Sequence, residues 1–218
     1  MNRRLLLAST AVVGIAIFAG GASLYRAAQP APEPAAPVAG NTLVRPHSPV
    51  FGPNQAPVTI VEFFDPSCEA CRAFYPEVKK ILNTTNNKVR LVLRYTPLHN
   101  GSDEAVRILE AARRQAKFQP VLEAMLEQQP DWAVHGNPDL ERAWQIAGSA
   151  GLDVAKARAD ATSAEITAVL EQDVADVKAN GIQQTPTFYV NGKPLQEFSP
   201  QGLYNLVVQE ATAAKAGS

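Results

Sequence analysis

Residues 61–78 read "VEFFDPSCEACRAFYPEV" and hold the only two cysteines of the chain, Cys68 and Cys71. The stretch changes period in the middle. "APVTIVEFFD" is short, apolar and rich in Val, Ile and Phe, the pattern of a buried strand. After Cys68 the apolar residues Phe74, Val78, Ile81 and Leu82 recur at helical spacing, which predicts a helix to about Thr84. Cys68 therefore stands where a strand gives way to a helix.

That position carries chemistry. A helix N-terminus offers unpaired N–H groups and about half a positive charge, and both favour a thiolate over a thiol. Cys71 lies one turn further on, roughly on the same face, where it can attack a mixed disulfide formed at Cys68. As a staple the pair is poor, because a bridge closing so small a ring removes little entropy from the unfolded chain. A structural zinc site commonly needs a second C-x-x-C or two histidines, and His47, His99 and His135 are scattered. A two-thiolate Cu(I) site stays open as an alternative, with Met1 and Met125 the only thioethers to support it.

Working outward, "KVRLVLRYTP" predicts a second strand ended by Pro97. From Ser102 to Asn180 only helical signals occur, with breaks expected at Pro120, Pro130, Pro138 and Gly151. "TPTFYVNGKPL" predicts a strand, an Asn-Gly turn and a short second strand. A closing helix follows, with Ser199 as cap and Pro200 in first position. Alternating strands and helices with one crossover imply a layered α/β domain.

The N-terminus differs. Arg3 and Arg4 precede Leu5–Leu24, a run without charge that is long enough to span a bilayer. We read residues 1–26 as a membrane anchor, with a cleaved signal peptide as the alternative, since Gly20-Gly21-Ala22 is an imperfect cleavage site. Either puts the remainder outside the cytoplasm. Residues 27–44, rich in Pro and Ala, read as a stiff spacer; residues 213–218 read as a tail. The net charge of -1 shows no basic stripe, which argues against nucleic acid as a partner.

Taken together these features resemble the thioredoxin superfamily and, within it, the exported DsbA-like thiol:disulfide oxidoreductases. "VEFFDPSCEAC" is similar to that family's strand leading into C-x-x-C. Pro76 falls where thioredoxins carry a proline within the helix, and "GIQQTPTFYVNGKPL" is similar to the cis-proline loop and hairpin. The block from about 100 to 180 resembles the helical insert of DsbA-like proteins. The resemblance covers residues 45–212 and implies an α/β thioredoxin fold with a helical insertion, preceded by the N-terminal hydrophobic helix.

The resemblance also implies roles. Cys68 is the nucleophile and Cys71 the resolving thiol of a redox disulfide. Pro186 is the cis-proline, and with Thr185 it presents backbone to substrate. Glu62 stands where DsbA-like proteins carry a buried glutamate, able to take the proton of Cys71; the competing reading is a surface carboxylate on an edge strand. No cofactor or metal is called for. The expected partners are cysteine-containing proteins and a redox partner that resets the pair, the expected state a monomer. Oxidase-type chemistry is favoured over a tethered reductase with a dedicated client.

Other residues are weighed on simpler grounds. Asp65 is expected to cap the turn, with negative potential near the thiols as the alternative; His99 is expected to face solvent rather than to lie near the site, and Trp132 and Trp144 to pack in the core rather than form a substrate shelf. Glu69 and Ala70 depart from the Pro-His dipeptide between the cysteines of DsbA. A carboxylate beside Cys68 predicts a thiol less acidic than that of the strongest oxidants.

Overall fold

Val, Ile and Phe fill five of the seven positions of β2 (Val58–Phe64), and all but Thr59 are buried, so it forms a strand covered on both faces. The computed structural model describes residues 42–216. The predicted N-terminal helix and most of the spacer lie outside those residues. No described helix is long and apolar enough to cross a membrane.

The sheet has five strands. β1 (Val50–Phe51) and β3 (Val89–Tyr95) lie to one side of β2, β4 (Thr187–Val190) and β5 (Lys193–Pro194) to the other. The order is β1-β3-β2-β4-β5, with β2 and β3 parallel and every other pair antiparallel. Glu62 pairs with Leu93 on one side and Phe188 on the other. It sits at the centre of the sheet, which rules out the edge-strand alternative.

Alternation along β2 assigns the two faces. Ile60 and Phe64 join Leu91, Leu93, Phe188 and Val190 in the main core, covered by α1 (Glu69–Thr84) and α8 (Pro200–Ala216) through Phe74, Val78, Leu203 and Val207. Val61 and Phe63 point the other way, packing with Val92, Tyr189, Leu43, Val177 and Ile182.

Between β3 and β4 the chain runs through α2 (Ser102–Arg114), α3 (Phe118–Glu127), α4 (Gln129–Trp132), α5 (Leu140–Ser149), α6 (Val154–Ala161) and α7 (Ala164–Ala179). The insert is as helical as expected, but two of its breaks fall elsewhere. Pro120 and Pro130 lie in the first turns of α3 and α4, where a missing N–H costs nothing. The chain instead turns around Ala116, at a positive φ of 55°, and at Gln128. Trp132 and Trp144 are core residues.

The helix α7 returns to cover the second face of the sheet. There Arg94, fully buried, donates to Asp173 at 2.8 Å and Asp176 at 2.5 Å and to the Thr42 carbonyl. Arg45 and His47 close on the same two carboxylates. Arg94 from β3 and Arg45 from the segment before β1 meet on the carboxylates of α7, so this cluster fixes how that segment lies on the domain. Packing thus begins by Thr42–Leu43, inside the stretch read as spacer, and α8 runs on to Ala216.

The hairpin turn places Asn191 and Gly192 at φ 47° and 81°, as a tight two-residue turn requires. Ser199 caps α8 by accepting the N–H of Gly202 at 2.9 Å. At Gly202 a Cβ would stand 2.2 Å from the Glu197 carbonyl oxygen, too close to exist without backbone movement. Gly202→Ala should therefore destabilise the protein by about 1–3 kcal/mol. Urea denaturation measures this, and an unchanged midpoint would contradict the packing described.

Candidate active site

Three segments meet at the C-terminal edge of the parallel pair: the β2–α1 turn, the loop after β3, and residues 184–187. Cys68 is the N-cap of α1, with φ -81° and ψ 122°, and no side chain caps it. Cys68 and Cys71 are free thiols. Cys68 is 5% exposed while Cys71 is sealed at 0%. The Cys68 thiol donates to the Thr185 carbonyl at 3.2 Å, and the peptide bond from Thr185 to Pro186 is cis. Pro76 lies within α1, leaving the carbonyl one turn earlier without its helical donor.

The two sulfurs have opposite ionisation. Cys68 is drawn down to about 5, chiefly by a hydrogen bond from Cys71, against the opposing effect of burial. The Thr185 side chain and the N–H groups of Cys71 and Ala70 assist. The Thr185 hydroxyl is buried without a partner, free to donate once the thiolate forms. That value lies between the ~3.5 of the strongest oxidants and the ~7 of thioredoxin. Cys71 is pushed well up by burial, by its bond to Cys68 and by the charge of Glu62.

Glu62 is 1% exposed and both its carboxyl oxygens lack hydrogen-bond partners. Desolvation, with a smaller contribution from the Cys68 charge, raises it to about 8. A group poised there, facing Cys71 through the main core, can exchange a proton near neutral pH.

The turn itself is held from two directions. Asp65 accepts from the Ser67 N–H at 2.8 Å and the Ser102 hydroxyl at 2.6 Å on Oδ1. On Oδ2 it accepts the N–H groups of Leu98 and His99 and pairs with His99 Nδ1 at 2.7 Å. It caps the turn as expected, and also ties the turn to the loop after β3. The solvent-facing expectation for His99 fails: its ring is two-thirds covered. Gln129, reaching in from α4, donates to the Pro66 and Cys68 carbonyls at 2.8 and 3.1 Å. Among the described residues no three of His, Cys, Asp and Glu gather as a metal-holding group.

Comparison with known proteins agrees with this geometry. A family model described as Thioredoxin matches residues 45–207. A thioredoxin-like oxidoreductase from Silicibacter pomeroyi DSS-3 superposes with a TM-score of 0.66 at 33% identity, covering 78% of this chain and 94% of that one. Alpha-DsbA1 of Wolbachia pipientis shares the fold, with a TM-score of 0.69 at 18% identity over 80% of this chain and 96% of its own. The Na(+)/H(+) antiporter NhaA of Herminiimonas arsenicoxydans is 33% identical over 149 residues, 67% of this chain but 23% of that protein. The chain spans about a quarter of the length of the curated relatives it matches.

Proposed function

The chain belongs to the thioredoxin family, and from that premise we propose that it is a protein thiol:disulfide oxidoreductase of the oxidase type. The carrying observation is the asymmetry of its two sulfurs, Cys68 at a helix start beside the Thr185 carbonyl and Cys71 fully buried within reach of the charge of Glu62.

In the oxidising direction a substrate thiolate attacks Sγ of Cys68 in the Cys68–Cys71 disulfide. The sulfur–sulfur bond breaks, Cys71 leaves with the electron pair, and a mixed disulfide joins Cys68 to substrate. Glu62, protonated below about 8, can supply the proton that neutralises Cys71. A second substrate thiolate attacks the substrate sulfur and expels Cys68 as a thiolate, a good leaving group with its pKa near 5. Substrate is oxidised to a disulfide and the pair is reduced by two electrons. Thr185 and Pro186 would lie against the substrate backbone beside Sγ of Cys68. An external oxidant, a redox partner protein, must then remove those electrons.

The same asymmetry supports the oxidising direction. Stabilising the Cys68 thiolate stabilises the reduced form, which makes the disulfide a better oxidant. The couple should lie between about -270 and -120 mV, the values of thioredoxin and of the strongest oxidant. Equilibration with glutathione measures it, and a potential at or below about -270 mV would overturn the oxidase reading in favour of a reductase. We place the domain outside the cytoplasm, tethered by its N-terminal run, on the strength of Arg3, Arg4 and the apolar stretch Leu5–Leu24.

A further inference from the structure

Asp65 is fully buried and built into the same turn as the two thiols. The Cys68 N–H donates to its carbonyl at 3.1 Å, and its own N–H donates to Sγ of Cys71 at 3.5 Å. A negative charge at this place opposes a thiolate at Cys68. Glu69, next in sequence to Cys68, adds a second. No lysine or arginine answers either: the ion-pair partners among the described residues are His99 for Asp65 and His135 for Glu69. The two imidazoles stand edge to face, their centroids 5.8 Å apart.

The two histidines are not equivalent. His135 is 72% exposed and its pairing with Glu69 is weakly held at 3.2 Å, so solvent screens it. His99 is 33% exposed and is fixed twice on Asp65 Oδ2, by its backbone N–H and by Nδ1. Its Nε2 has no hydrogen-bond partner among the described residues, leaving that edge of the ring free beside the site.

We propose that His99 is the cation of the active site, a positioning residue that offsets the charges of Asp65 and Glu69 and thereby adds to the acidity of Cys68 and the oxidising power of the pair. The proposal rests on the exchange chemistry described above. It assigns to a loop on the neighbouring strand the positive charge that the Glu69-Ala70 dipeptide between the cysteines does not provide. Burial works against a charged His99, but the hydrogen bond to Asp65 and the charges of Asp65, Cys68 and Glu69 outweigh it and raise its pKa. Because coupling is reciprocal, a thiolate that favours charged His99 is itself favoured by it to the same degree.

Two measurements test this. In His99→Asn the amide still donates to Asp65 but carries no charge. Titration of the thiolate absorbance in reduced protein should show the Cys68 midpoint raised by roughly one pH unit, the scale of a nearby opposite charge. In unmodified protein, the His99 ring followed by proton NMR should titrate at higher pH in the reduced state than in the disulfide state, where no thiolate exists. A folded His99→Asn with an unshifted Cys68 midpoint overturns the proposal and leaves the exchange reading standing, as does an identical His99 midpoint in both redox states. If the asparagine variant does not fold, the comparison of redox states decides alone. An unmodified Cys68 that titrates as an ordinary thiol takes both readings down.

Discussion

Cys68→Ser loses thiol–disulfide exchange by several orders of magnitude and forms no mixed disulfide, whereas Cys71 variants stall with substrate bound through Cys68. The structure makes the second half of this result depend on the replacement. The hydrogen bond from Cys71 is the largest influence lowering the Cys68 pKa from its ordinary value to about 5. Cys71→Ala deletes that donor, so Cys68 should titrate higher and the trapped species should form slowly. Cys71→Ser keeps an O–H in nearly the same place, so it should retain the acidic Cys68 and trap substrate faster. Non-reducing electrophoresis of the protein mixed with a disulfide-containing substrate reads both, because the Cys68 thiolate attacks that disulfide and expels the other substrate sulfur as a thiolate. Equal trapping by the two variants would show that the Cys71 hydrogen bond does not govern Cys68. A mixed disulfide through Cys71 in the Cys68→Ser protein would reverse the roles assigned here, and the sealed position of Cys71 argues against it.

How far the site is legible in sequence depends on the distance over which its parts are assembled. The strand, the two cysteines and the start of α1 are contiguous, and period alone separates them, so 61–78 reads correctly without further help. The hairpin at Asn191-Gly192 and the cap at Ser199 are equally local, each needing two or three residues of a type the backbone demands. The prolines mislead because the residue is at home in a first helical turn as well as in a break, and only the flanking geometry at Ala116 and Gln128 decides.

The contacts that hold the turn are of another kind. His99 and Ser102 reach Asp65 across more than thirty residues, and Gln129 reaches Cys68 across 61. For His99 a signal did exist. A crossover between β2 and β3 implies parallel strands, parallel strands end on the same edge, and Phe64 pairs with Tyr95. The loop that follows Tyr95 must therefore lie beside the one that follows Phe64, with His99 in it. Gln129 had no such signal. It arrives from a helix of the insert, whose docking on the turn is set by packing that no local pattern encodes. The buried ion cluster on the far face, from Arg45 and Arg94 to Asp173 and Asp176, is likewise invisible to periodicity, because charged residues read as solvent-facing until a partner is brought to them.

Glu62→Gln should slow attack of Cys71 on the mixed disulfide, the reverse of the step in which Glu62 gives Cys71 its proton, by about 10²–10⁴, the contribution of a positioned proton acceptor, while making the protein more stable at alkaline pH. The two effects share one cause. The carboxyl is desolvated, its oxygens have no donors, and its pKa stands at about 8 against an ordinary 4.5. Between those values the unfolded chain has released the proton that the native protein still holds. Stability is therefore full below about 4.5 and declines as pH rises toward 8, by something on the order of 5 kcal/mol. In the disulfide state Cys68 and Cys71 do not titrate, so urea denaturation of oxidised protein across this range, compared between unmodified and Glu62→Gln protein, isolates the contribution of Glu62. Gln cannot ionise and should remove that decline. Rapid-mixing kinetics on the mixed disulfide should show resolution in the unmodified protein quickening as pH passes about 8, where the carboxylate becomes available as acceptor, and no such step in Glu62→Gln. A variant that resolves at the native rate with the native pH profile would show that Cys71 loses its proton by another path. One that keeps the decline in stability would show that a different buried group carries it. On this proposal, a carboxyl that weakens the centre of the sheet, at a place where Val or Leu would strengthen it, is accounted for by the proton it would move.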